Sequence, residues 1–154
     1  MTIEIKNQQK QIPIPRAQSA QIQRIVQKIL RHEGVRVSHA RLSIVFVTDS
    51  KIQSLNKKFL NRSYTTDVLA FDLSEDVLSC SSKKIKTIEG EIVISATTAI
   101  KNARIFATSP HQELMLYVIH GILHLLGYDD HKAADIKHMR AKEIKLMKLV
   151  GKQL

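Results

Sequence analysis

The chain predicts an α+β architecture, an α/β sandwich in which helices cover a sheet. Three observations carry that expectation. Short stretches with apolar residues at every second position alternate with longer stretches whose apolar residues recur every three or four. The 154 residues match one ordinary domain, long enough to bury roughly 70% of its unfolded surface. A hydrophobic content of 44% falls in the globular range. One domain over residues 1–154 is expected, because no repeat, low-complexity tract or Pro/Gly/Ser-rich linker divides the chain.

Residues 2–8 set Ile3 and Ile5 between polar neighbours, the alternation of a short strand. Pro13 and Pro15 then interrupt the backbone. From Ala17 onward Ile22, Ile25, Val26, Ile29 and Leu30 fall at helical spacing, and Gly34 closes that helix. Residues 41–48 put Leu42, Ile44 and Phe46 on one face of a half-buried strand. Asp49 or Ser50 caps the next helix, whose Ile52, Leu55 and Phe59 share a face. Residues 67–72 read as a strand, 79–87 as a loop or hairpin connection, 91–95 as a strand and 97–107 as a helix.

Ser109-Pro110-His111-Gln112 is a strong helix start. Serine caps, proline takes the first helical position, and glutamine three residues after the serine completes a capping box. Leu114, Val118, Ile122 and Leu125 make its apolar stripe, and Gly127 ends it. Residues 132–148 form a basic helix buried through Ile136, Met139, Leu146 and Met147. Its seven Lys and Arg, counted to Lys152, read chiefly as a solvated face.

Twenty-four Lys and Arg against fourteen Asp and Glu leave a net charge of +10 and a pI near 9.9. A polyanionic partner follows, since cations that neutralise phosphates release condensed counterions. Nucleic acid ranks ahead of an anionic membrane, because no amphipathic N-terminal anchor is present. Cys80 is the only cysteine, so an internal disulfide is impossible, zinc fingers and iron–sulfur clusters lack thiolates, and a reducing compartment is favoured. The first six residues show no charged region followed by an apolar run, and no stretch reaches the ~20 apolar residues of a membrane span. A cytoplasmic protein with no membrane partner is expected.

His120 and His124 stand four residues apart on the helix that begins at Ser109, so both imidazoles project from one face. Two nitrogens at ~2 Å from one ion fit that separation, which is the spacing of helical zinc sites. Beyond Gly127 the chain turns back, and Asp130, ten residues after His120, or His131, eleven after it, supplies a third ligand. Three protein ligands leave a fourth position for water or substrate, the catalytic arrangement rather than the structural one. The layout resembles that of metzincin proteases, except that Gly121 stands where their general-base glutamate follows the first histidine. Glycine cannot take a proton from water, which turns the site away from proteolysis.

The segment from His120 through Gly121, His124 and Gly127 to Tyr128 and Asp129 closely resembles the signature of the bacterial YbeY family. Those proteins are metal-dependent endoribonucleases of ribosomal RNA maturation. Thr66-Asp67-Val68-Leu69-Ala70-Phe71 resembles a second family segment, and Gly90-Glu91-Ile92-Val93-Ile94-Ser95 a third, in matching order over essentially the whole chain. The resemblance implies a small central mixed sheet of about four strands covered by about five helices, with the histidine helix lining a cleft. It also implies one zinc ion or another divalent metal, and precursor ribosomal RNA, ribosomes or ribosomal proteins as partners.

Two departures stand out. The family's third ligand is a histidine where this chain has Asp130, so the carry-over without an insertion gives Asp130, and one extra residue in the turn gives His131. A carboxylate is an acceptable zinc donor and widens tolerance for other divalent metals. A family arginine six residues before the strand threonine, proposed to hold phosphate, is here Leu60, and Arg62 is the nearest arginine. Arg62 and Lys132 are the candidate RNA contacts.

The expected chemistry is metal-assisted cleavage of RNA phosphodiesters through His120 and His124, acting on single strands at the small-subunit 3′ end and in ribosome quality control. His138 and Glu91 are further acid–base candidates beside structural roles on a helix surface and a strand edge. The rival readings are a zinc peptidase or amidohydrolase, and a non-catalytic ribosome-associated factor whose metal only holds the turn.

Overall fold

A computed structural model describes residues 1–61, 65–74 and 87–151, the side chain of Leu60 excepted. Strand β1 (Thr2–Asn7) leads to helix α1 (Arg16–His32), a short 3-10 turn (Val37–His39) and β2 (Arg41–Val47). Helix α2 (Asp49–Leu60), β3 (Val68–Asp72) and β4 (Glu89–Ser95) follow, then α3 (Ala96–Phe106), α4 (Pro110–Leu125) and α5 (Ala133–Val150). The expected loop at 79–87 lies almost wholly outside the described residues, as does Arg62.

The four strands form one mixed sheet in the order β1-β2-β4-β3. β1 with β2 and β2 with β4 pair in parallel, whereas β3 runs antiparallel to β4 along one edge. Parallel neighbours need a crossover, and α1 and the α2–β3 excursion supply it. Ile44, Ile92 and Ala70 lie in one cross-strand row, so the alternation read from the sequence becomes an apolar layer.

Each sheet face has its own core. Leu42, Ile44, Phe46, Ile92 and Ile94 point into the larger one, with Ile25, Ile29 and Leu30 of α1 and Val118, Ile119 and Ile122 of α4. Val45, Val47, Leu69 and Val93 point the other way, against Ile52 and Leu55 of α2. α5 packs outside α4 through Met139, Leu146 and Val150, which are buried.

Two local expectations are corrected. The N-cap of α2 is Thr48, without a side-chain bond, and Asp49 is the first helical residue. Its carboxylate turns instead to Thr98 Oγ1 at 2.8 Å, Lys101 Nζ at 2.7 Å and the Ser95 hydroxyl, tying two helix starts together. Phe59 does not join the buried face of its helix; it is 58% exposed, with its ring edge-on to Phe71 at 5.6 Å between centroids.

Candidate metal centre

Helix α4 carries the site because its start is unambiguous. Ser109 accepts from the Gln112 amide at 3.1 Å, and the Gln112 side chain accepts from the Ser109 amide at 2.9 Å. This reciprocal capping box sets the phase of the helix. In that phase Leu114, Val118 and Ile122 face the sheet, while Glu113, Tyr117, His120 and His124 form a polar stripe beside them.

Gly121 lies against β4. A Cβ built there would stand 2.5 Å from Ile92 Cγ2, so only glycine lets α4 sit this close to the sheet. The helix stops at Leu126, and Gly127 reverses the chain at φ +89. The Tyr128 amide then bonds back to the Leu123 carbonyl at 3.0 Å, and the turn delivers Asp130 over the histidine pair.

The two Nε2 atoms face each other at 2.9 Å, with the rings nearly perpendicular. Asp130 Oδ2 lies 3.7 Å from each. A point equidistant from these three atoms is about 2.0 Å from every one, the bond length zinc makes to imidazole and carboxylate.

The far nitrogens fix the tautomers. His124 Nδ1 donates to the Tyr128 carbonyl at 3.1 Å, and His120 Nδ1 donates to Glu143 Oε1 at 2.5 Å. Both partners are acceptors, so each Nδ1 carries its hydrogen and each Nε2 presents a lone pair inward. Two lone pairs at hydrogen-bond distance need a proton or a cation between them. Burial disfavours charge on His120, but Glu143, with Asp67 and Asp130 behind it, outweighs burial and raises its pKa. Burial and the neighbouring His120 lower that of His124 despite Asp130. The two imidazoles are thus shifted in opposite directions, as two coupled bases in contact are.

His120 and Asp130 line a cleft of about 620 Å³, together with Asp67, Asn102, Phe106, Tyr117, Arg140 and Glu143. A smaller hollow of about 340 Å³ between α1 and α4 is walled largely by Ile22, Ile25, Phe46 and Leu114 and contains none of the donors.

The other candidates fall apart from the group. His131 is 74% exposed, hydrogen-bonds Asp129 and lies 3.9 Å from Asp130, in a second, more exposed group of Asp129, Asp130 and His131 that excludes the histidine pair. Lys132 is exposed at the N-cap of α5. His138 meets Tyr128 edge-on with ring centroids 5.4 Å apart, and Glu91 is half-buried on β4 opposite Ser43 and Phe71. Sequence reasoning missed Glu143, Asp67 and Arg140. Glu143 had a legible signal, since Met139, Glu143 and Leu146 share a helical stripe, and an acid on a buried stripe needs a partner.

Fold and donors together define a class: a small α+β domain with a His/His/Asp group from one helix and the turn after it, able to hold a metal, beside an open cleft. A family model described as Endoribonuclease YbeY matches residues 4–151, and the chain belongs to the YbeY endoribonuclease family, whose members are hydrolytic nucleases. Endoribonuclease YbeY of Syntrophus aciditrophicus is 38% identical over 152 residues, covering 97% of this chain and 90% of that one. That of Moorella thermoacetica is 33% identical over 154 residues, covering 98% of both chains. The solution structure of TM1509 from Thermotoga maritima superposes with a TM-score of 0.64 at 28% identity, covering 98% of this chain and 91% of that chain.

Proposed function

We propose that the chain is a single-strand-directed, metal-dependent endoribonuclease of ribosomal RNA maturation and ribosome quality control, working in the cytoplasm as one domain. His120, His124 and Asp130 would hold one divalent ion, zinc foremost. The observation that carries this reading is the triangle of donor atoms whose common centre matches zinc bond lengths, set in the cleft of an endoribonuclease-family chain. A bound divalent ion supplies Lewis-acid stabilisation of phosphoryl charge and hydroxide near neutral pH.

The protein's own groups do the rest. Glu143 makes His120 a better donor by taking its Nδ1 hydrogen bond, as carboxylates behind metal-bound histidines do. Arg140 stands in the cleft as a planar cation for a phosphate flanking the cut. Phe106, 64% exposed at the cleft lip, offers a face on which an unpaired base stacks, which a duplex would withhold. Lys132 and Arg62 are further candidate RNA contacts. Ribosomal RNA precursors and ribosomal proteins are the proposed partners, in keeping with the charge of +10. Against peptidase chemistry, the place after His120 has no room for even a Cβ.

The test is cleavage of matched single-stranded and duplex RNA by the wild type and His120→Ala, with and without a chelator. Loss of single-strand cutting on chelation and in the folded variant is expected. A folded His120→Ala that cuts RNA normally would sink the catalytic reading.

A further inference from the structure

Outside the donor triangle, one group of charges is oddly placed. Glu33 is the C-cap of α1, where the negative end of the helix dipole already repels a carboxylate, and its side chain is only 4% exposed. Such a charge persists only where something holds it. Lys142 Nζ on α5 lies 3.0 and 2.9 Å from its two oxygens, and the Tyr128 hydroxyl donates to Oε2 at 3.4 Å. Lys142 also sits over the Tyr128 ring, 5.4 Å from its centroid.

We infer that Glu33 is a positioning residue for the metal centre: its ion pair with Lys142 holds in place both acceptors that aim the histidine nitrogens. The inference rests on the metal reading above. The first acceptor is the Tyr128 carbonyl, which takes the hydrogen bond from His124 Nδ1. The side chain of Tyr128 is held by Glu33 at its hydroxyl and by Lys142 and His138 at its ring, which restrains its backbone after Gly127. The second acceptor is Glu143, the residue after Lys142. Neighbours on an α-helix point about 100° apart, so drawing Lys142 onto Glu33 sets the rotation of α5 and turns Glu143 to His120.

One contact with α1 therefore fixes the turn that follows α4 and the phase of α5, the two structures that carry the Nδ1 partners. The donor Asp130 lies between them in the chain, so both ends of its loop are tethered by the same pair. Glu33 engages Lys142 and Tyr128, and its effect passes through Tyr128 and Glu143.

The experiment compares wild type, Glu33→Gln, Lys142→Arg and the apolar double variant Glu33→Leu/Lys142→Leu. Zinc affinity is measured by competition with a chromophoric chelator, the donor geometry by the visible spectrum of bound Co²⁺, and stability by melting of the metal-free chain. Outer partners of metal-bound histidines set affinity by about 10–100-fold, so a loss of at least tenfold with an altered Co²⁺ spectrum is expected for Glu33→Gln. Lys142→Arg keeps the charge pair and should retain wild-type affinity. The double variant removes the buried charges together, so it keeps a folded comparison available if Glu33→Gln melts. It should still bind zinc weakly. Wild-type zinc affinity and Co²⁺ spectrum in the folded Glu33→Gln or double variant would overturn the inference, leaving the pair a stabilising contact only. A wild-type chain that binds neither zinc nor Co²⁺ would overturn the metal reading, and the inference with it.

Discussion

Replacing Gly121 by alanine sets two known effects against each other. In a helix interior alanine is favoured over glycine by about 1 kcal/mol, so on propensity alone the variant should be the more stable. The new Cβ, however, would lie 2.5 Å from Ile92 Cγ2 and 3.2 Å from Ile92 Cγ1 and Cδ1. Carbon atoms rest at about 3.5–4.0 Å, so the closest contact is roughly 1 Å too short. Ile92 cannot yield cheaply, because Cγ2 is bonded to Cβ on a buried central strand. Overpacking of this kind costs about 1–3 kcal/mol, and with a stiff partner the upper end applies. Net of propensity, the loss is about 2 kcal/mol, or about 4–8 °C in Tm for a chain of this length. Thermal or urea denaturation of the metal-free protein measures it. Ile92→Leu supplies the control, since it moves the branch from Cβ to Cγ at constant volume. The double variant should then recover at least about 1 kcal/mol relative to the two single losses. A Gly121→Ala protein that melts at or above the wild type would refute the packing argument, and with it the reason why no glutamate follows His120.

Asp130→Asn should weaken zinc binding by about tenfold or more, about 1.4 kcal/mol, whereas His131→Ala should leave it within about twofold; the reverse order would move the third ligand to His131. At Asp49, burial works against charge, but hydrogen bonds from Lys101, Ser95 and Thr98 and the charge of Lys101 prevail and lower its pKa below the usual 3.8. The unfolded chain then binds the proton more readily. The Asp49 contribution is therefore present above about pH 4 and fades as the pH falls through the lower folded value. The Tm gap between wild type and Asp49→Asn should shrink as the pH falls below about 4, and a constant gap would exclude this origin.

Much of the fold was legible because single elements announce themselves locally. The period-two stretches around Ile3 and Ile44 and the short apolar runs around Leu69 and Ile92 became the four strands, and the capping box at Ser109 placed α4 to the residue. The order of the strands was not legible. It depends on pairings such as Thr2 with Arg41 and Arg41 with Glu89, which no local pattern encodes. Phe59 misled because helical spacing gives a face but not where the sheet beneath it ends.

In the candidate site, the histidine pair could be read from one turn of helix. Asp130 and His131 could not be separated by spacing alone, because their difference lies in the turn after Gly127, where one side chain points at the pair and the next at Asp129. Lys142, read among the cations of a solvated face, turned out to be engaged with a carboxylate 109 residues away. Charge in a sequence carries no address.

The donors themselves span only His120 to Asp130, a single helical turn and the reversal beyond it. The sheet that supports them closes over far longer stretches, Thr2 to Arg41 and Arg41 to Glu89. Gathering ligands so near in the chain costs little loop entropy, whereas parallel pairing across dozens of residues is intrinsically slow. Assembly of this centre is therefore timed by its scaffold: the grip is local, and the hand that steadies it is made last.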